Sequence, residues 1–173
     1  AVTLPHIAER LTLSDQKLID PVVDITNYII LELGQPLHAF DRDKLNGDIS
    51  VRLAKKDESI TLLDDQTLNL DASCLVISDE KEAVAFAGVM GGKDSSVTSS
   101  TSSIFLESAY FKPSVIRGKA RKFGFQTEAS LRFERGVDYT IQEFALNRAT
   151  YLLSQTIGGC LLYTSPSPRD MPR

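Results

Sequence analysis

Cysteine is almost absent: Cys74 and Cys160 are the only two in 173 residues. Two thiols make neither a disulfide framework nor a zinc site, and the expected location is the reducing cytoplasm. Long apolar runs are also missing. No stretch approaches the roughly 20 residues of a membrane span, so no membrane partner is expected. The first residues lack the apolar core and cleavage site of a signal peptide. Histidine occurs only as His6 and His38. His38 with Asp41 falls short of a metal centre for want of a third ligand. No glycine-rich loop is followed by a Lys-Ser/Thr pair, which argues against a phosphate loop. No internal repeat is visible. The chain opens on Ala1 rather than methionine, so a piece of a longer polypeptide is expected.

What is present suits a single soluble domain, with 42% apolar and 24% charged residues. The net charge of −4 alone argues against a nucleic-acid partner. Its distribution argues otherwise. Lys112, Arg117, Lys119, Arg121, Lys122, Arg132 and Arg135 are opposed in that stretch only by Glu128 and Glu134, a local excess of +5. Such a patch is either the footprint of a polyanion or a solvated helix face.

The stretch that organises the chain runs from Pro21 to Asp41. Asp20 suits an N-cap and Pro21 the first helical position. Val22, Ile25, Ile29 and Leu33 recur at helical spacing, with Val23 and Ile30 widening the face. Gly34 ends the helix in a left-handed conformation and Pro36 forbids its return. Leu37 to Asp41 then reads as a rigid loop that delivers His38.

Elsewhere, Leu4 to Leu13 is weakly helical, and Ser14-Asp15 breaks it. Asn46-Gly47 is a turn, and Ile49, Val51 and Leu53 alternate as a strand. Ile60–Leu63 and Thr67–Leu70 form a hairpin around Asp64-Asp65-Gln66. Leu75–Ser78 is a short strand, Glu80-Lys81-Glu82 a turn, and Ala83–Met90 one buried strand ending in Gly91-Gly92. Asp94–Ser103 is a Ser/Thr-rich surface loop. Ile104-Phe105-Leu106 is a buried strand ending at Glu107-Ser108. Pro113 opens a helix that runs to Phe123 and stops at Gly124. Gln126–Val137 has no decisive pattern. Tyr139–Ile157 is a long helix with Ile141, Phe144, Ala145, Ala149, Leu152 and Leu153 near one face, ended by Gly158-Gly159. Residues 160–173 hold three of the seven prolines and read as a foreign tail beyond a domain of residues 1–159. The fold expected is mixed α/β (α+β), a central mixed β-sheet flanked by helices.

In such folds, sites gather at strand ends and the following loops. That selects His38, Gly91-Gly92, Glu107 and Thr127-Glu128-Ala129. His38 is either a satisfied structural histidine or a neutral imidazole able to orient or deprotonate water near pH 7. Gly91-Gly92 is either a tight turn or a point of close ligand approach. Glu107 needs a partner in apolar surroundings. That partner is either a nearby Arg or Lys, or a ligand hydroxyl or amine.

VVDITNYIILELGQPLHAFD, AFAGVMGG, FLESAYFKPSVIRGKARKFG and QTEASLRFERGVD together resemble, in this order, the editing domain of bacterial phenylalanyl-tRNA synthetase beta chains. The resemblance covers roughly Leu4 to Gly159. It implies that family's editing-domain fold and hydrolysis of tyrosine wrongly esterified to the phenylalanine tRNA. It assigns His38 to positioning the attacking water. Glu107 matches the acceptor of the tyrosine hydroxyl, and Gly91 the glycine bordering the ring, where a side chain would fill the pocket. Thr26, Asn27, Thr127 and Ala129 match pocket-wall positions. Lys17 stands at a tRNA-binding position, toward the terminal adenosine, where the family often has arginine; lysine keeps the charge and loses the planar two-pronged donor. From charge, Arg117, Lys119, Arg121 and Lys122 are expected to face tRNA. The partners implied are tRNA and the synthetase alpha subunit in an alpha2beta2 assembly. ATP and Mg2+ serve the full synthetase, and no cofactor is expected in this stretch. The competing class is a binding module of the same fold without hydrolysis.

Overall fold

The computed structural model describes residues 2–162. The proposed foreign tail lies almost wholly outside them. Helix α1 (Pro5–Leu13) buries Ile7 and Leu11, the pair four residues apart. Helix α2 (Pro21–Leu33) is built as its sequence dictates. The Asp20 side chain accepts from the Val22 N–H at 2.9 Å, and Gly34 sits at φ 74° to close the last turn.

The strand that follows departs from expectation. Leu37–Asp41 is strand β1, not a loop, and it pairs antiparallel with β8 (Ile104–Ser108). Five residues cannot announce a strand whose partner is distant in sequence. A 3-10 turn (Arg42–Lys44) leads to β2 (Ser50–Leu53). The hairpin of β3 (Ser59–Thr61) and β4 (Thr67–Asn69) forms as its turn residues require, with Asp65 at φ 68°. Strand β5 is Leu75–Ser78.

The apolar run Ala83–Met90 is not one strand. It divides into β6 (Ala83–Phe86) and β7 (Met90–Gly91), folded back on each other around Gly88 at φ 69°. Glycine adopts that conformation without a Cβ penalty. Gly91 and Gly92 therefore lie in and after a strand rather than in a turn. The helix read from Pro113 to Phe123 is likewise two pieces, α3 (Pro113–Ile116) and α4 (Lys119–Lys122), parted by Gly118 at φ 76°. The undecided stretch contains α5 (Glu128–Arg135). Its start is fixed by Thr127 and Ser130, each side chain accepting the other's backbone N–H at 3.0 Å. Helix α6 (Gln142–Ile157) buries Ala145, Ala149, Leu152 and Leu153, while Phe144 turns to solvent at 60% exposure.

The fold is mixed α/β, with the strands in three antiparallel groups: β1–β8, β2–β5–β6–β7 and β3–β4. The two-stranded ribbon β1–β8 partitions the core. Leu37 and Ala39 pack with α1, α2 and α6, joined by Ile104 and Leu106. Phe40 and Phe105 pack on the other side, with β5, β6 and the short helices. Alternation along a strand explains the division, and it sends His38 and Glu107 to the second side.

Candidate active site

His38 and Glu107 are direct cross-strand partners on the ribbon. Facing side chains at such positions have Cβ atoms roughly 4.5–5.5 Å apart. Both line one small cavity of about 70 Å³. Ile77, Ala85, Phe86 and Gly91 from the sheet contribute apolar wall, as do Ala129 and Phe133 from α5.

Neither polar group is satisfied. His38 is half-buried, yet its Nε2 is shut from solvent with no hydrogen-bond partner among the described residues, and its ring packs edge-to-face with Phe40, centroids 4.4 Å apart. Glu107 makes no hydrogen bond or ion pair among the described residues, so the arginine or lysine partner open from sequence is not there. Burial pushes the Glu107 carboxyl up to about 7 and drives the His38 imidazole down to about 4. An ion pair between them would move both the other way. Near neutral pH the imidazole is uncharged, and the acid stands close to its titration point.

Gly91 has a reason beyond pocket size. A Cβ there would lie 2.2 Å from His38 Cε1 and 2.3 Å from its Nε2. Any side chain at 91 strikes the imidazole before it fills the cavity. Gly92 is bare for packing: its Cβ would come within 2.6 Å of the Val84 carbonyl oxygen.

The other sequence candidates fall in different places. Ala129 is in the wall. Thr127 does not line the cavity; its hydroxyl donates to the Val89 carbonyl at 2.8 Å and fastens α5 to the β6–β7 turn that does. Thr26 and Asn27 lie on α2 and do not line it either, and the Thr26 hydroxyl donates to Val23 O at 2.8 Å. Lys17 is exposed between α1 and α2. The basic stretch is largely spoken for within the chain. Arg121 pairs with Glu134 at 3.1 Å, Lys122 with Asp71, Lys119 donates to Ser73 Oγ at 2.7 Å, and Arg117 donates to the Glu134 carbonyl at 3.3 Å. Phe133 was not marked in the sequence, because it lies on the one helix whose pattern was indecisive; the Thr127/Ser130 pair was the signal available.

Among the described residues no group of three or more His, Cys, Asp or Glu could hold a metal ion. None of their helices is long and apolar enough to cross a membrane.

The B3/4 domain family model matches residues 2–158. The phenylalanine–tRNA ligase beta subunit of Idiomarina loihiensis is 58% identical over 153 residues, 88% of this chain and 19% of its own length. That of Colwellia psychrerythraea is 52% identical over 159 residues, 92% of this chain and 20% of its own. That of Vibrio cholerae is 49% identical over 167 residues, 95% and 21% respectively. The chain spans about a fifth of the length of these curated relatives. The family resemblance read from four short motifs therefore holds along nearly the whole chain, which belongs to the B3/4 domain family, of the type found in phenylalanine–tRNA ligase beta subunits.

Proposed function

We propose that the cavity between β1, β8 and α5 hydrolyses the ester of tyrosine wrongly attached to the phenylalanine tRNA. The chain then works as the editing part of a phenylalanine–tRNA ligase beta subunit. Its partners are the tRNA and the alpha subunit of an alpha2beta2 assembly, in the cytoplasm. ATP and Mg2+ belong to aminoacylation elsewhere in that assembly.

The observation that carries this reading is the cross-strand pair. His38 and Glu107 face one apolar-walled cavity, and neither has a hydrogen-bond partner among the described residues. Buried polar atoms are nearly always paired, so the orphaned His38 Nε2 calls for a polar ligand, and the half-buried Glu107 carboxyl opposite it offers a second point of contact. A phenol answers Glu107: its hydroxyl donates to the carboxylate while the ring meets Phe86, Ala129 and Phe133. A bond to a charged acceptor contributes roughly 1.5–3 kcal/mol, or about 10–150-fold selection over a ring without the hydroxyl. A site that requires the hydroxyl complements a synthetic pocket that rejects it by only about a hundredfold.

The neutral imidazole of His38 accepts a hydrogen bond from the attacking water and aims it at the ester carbonyl. The water oxygen bonds to the acyl carbon and the acyl C–O bond breaks. The proton passes to the departing ribose oxygen, freeing tyrosine. With burial holding it near 4, His38 is a weak proton sink, which suits orientation more than proton abstraction.

The test is hydrolysis of tyrosyl-tRNA for phenylalanine by this chain. The ester should disappear faster than spontaneously, and His38→Ala should slow it about a hundredfold. An intact ester with a well-folded chain overturns hydrolysis; retained tyrosine binding would then identify a binding module.

A further inference from the structure

A second cavity, of about 470 Å³, lies on the other flank of α5. Ala129 and Phe133 line the first cavity, whereas Leu131, Arg132 and Arg135 line the second. The two also share the turn out of α2, with Pro36 at the first and Gly34 at the second. They are neighbours along one surface.

The charges of the second cavity are unevenly committed. Its acids are engaged: Glu128 lies 3.6 Å from an Arg132 terminal nitrogen, and Asp138 accepts from the Thr140 N–H at 2.8 Å and its hydroxyl at 2.7 Å. Its cations are not fully so. Arg132 keeps a buried Nε with no hydrogen-bond partner. Arg135 is exposed, with no hydrogen bond or ion pair among the described residues. Arg135 thus differs from Arg121 and Lys122, whose charges are met inside the chain.

Next to Asp138 stands Tyr139, 74% exposed, with its ring 6.4 Å from that of Tyr110, itself 44% exposed. Tyr110 leaves β8 three residues after Glu107. An exposed aromatic pair near an uncommitted guanidinium, that of Arg135, is the chemistry that holds single-stranded nucleic acid, bases on rings and phosphates on cations.

We infer that the second cavity and the Tyr110–Tyr139 pair seat the nucleotides next to the ester-bearing end of the RNA, with Arg135 and Arg132 on phosphate and Tyr139 under a base. The inference rests on the editing reading for the identity of the RNA, but its test does not need hydrolysis.

Fluorescence anisotropy would give the dissociation constant of uncharged phenylalanine tRNA for this chain, with the single-stranded 3′ end intact or trimmed, over a series of salt concentrations. Intact tRNA should bind wild type more tightly than trimmed tRNA. Arg135→Gln should reduce the slope of log affinity against log salt by about 0.7. Tyr139→Ala should weaken intact tRNA by about fivefold or more. Neither change should alter the affinity for trimmed tRNA. Both side chains are exposed, so folding is not at stake, and circular dichroism checks it. Equal losses on trimmed and intact tRNA would put these residues against another part of the RNA and overturn the inference. Unchanged binding by both variants, or no tRNA binding by wild type, would also overturn it. Ester hydrolysis is scored separately, so either reading can fail alone.

Discussion

The two sides of the β1–β8 ribbon treat polar groups differently. On the helical side every buried polar side chain is matched. Asp24 accepts from Thr3 Oγ1 at 2.5 Å and the Ile19 N–H at 2.8 Å. Gln35, fully buried, donates to the Pro36 and Ala109 carbonyls and accepts from Gln142. Glu32 ties α2 to α6 through both oxygens on Arg148, at 2.8 and 2.9 Å. On the sheet side, the buried His38 Nε2 has no hydrogen-bond partner, and the half-buried Glu107 carboxyl opposite it has none among the described residues. Folding leaves no such debt without reason, since an unmatched buried polar group costs about 1–3 kcal/mol. The helical side holds the molecule together; the sheet side gives up part of that stability where the candidate site lies.

The contrast is sharpest at Asp24. Asp24→Ala removes two hydrogen bonds to a buried carboxylate and strands their donors, and should cost about 3 kcal/mol or more. Urea denaturation would read it as a lower midpoint, with little change in ester hydrolysis once folded. A midpoint like wild type would mean that the helical side is not the stabilising one.

Glu107→Gln should do the reverse. Folding holds the Glu107 carboxyl near 7 against an ordinary 4.5, so the folded state keeps a proton that the unfolded state releases. Its contribution is full below 4.5 and is lost as pH rises toward 7. His38 acts oppositely. Held near 4 against 6.5, it costs stability as pH falls from 6.5 toward 4. In wild type the two slopes oppose each other between about 4.5 and 6.5. Glu107→Gln leaves only the histidine slope and should be more stable than wild type above pH 7, by at most about 3 kcal/mol. It should also lose tyrosine selection about tenfold. Loss of stability at pH 8 would mean that Glu107 is structural. The smallest effect is expected at Arg148→Ala, under about 1 kcal/mol, because that pair is partly exposed. A melting shift no larger than that of a neutral surface substitution would agree; a loss like that of Asp24→Ala would not.

The candidate site residues are legible in unequal measure. His38, Gly91, Glu107 and Ala129 were each marked by type and setting, and they meet at one cavity. Thr127 was marked for the wall and instead braces it from behind. The positive stretch was read from charges close in sequence. Asp71, which meets Lys122, lies far upstream, and no local count could include it. Ala83–Met90 and Pro113–Phe123 were each read as one element because their composition is continuous. Gly88 and Gly118, each at positive φ, break them.

The sequence alone determined α1, the start and stop of α2, the β3–β4 hairpin, strand β5 and, apart from Ile141 and Phe144, the buried face of α6. Caps, turn residues and apolar spacing act between near neighbours, so a short window contains the cause. Only the tertiary structure decided that β1 is a strand, that its register sets His38 opposite Glu107, and that the His38 Nε2 is buried without a hydrogen-bond partner among the described residues. A group's solvation and hydrogen-bond supply depend on which distant segments arrive beside it, and no local pattern carries that information.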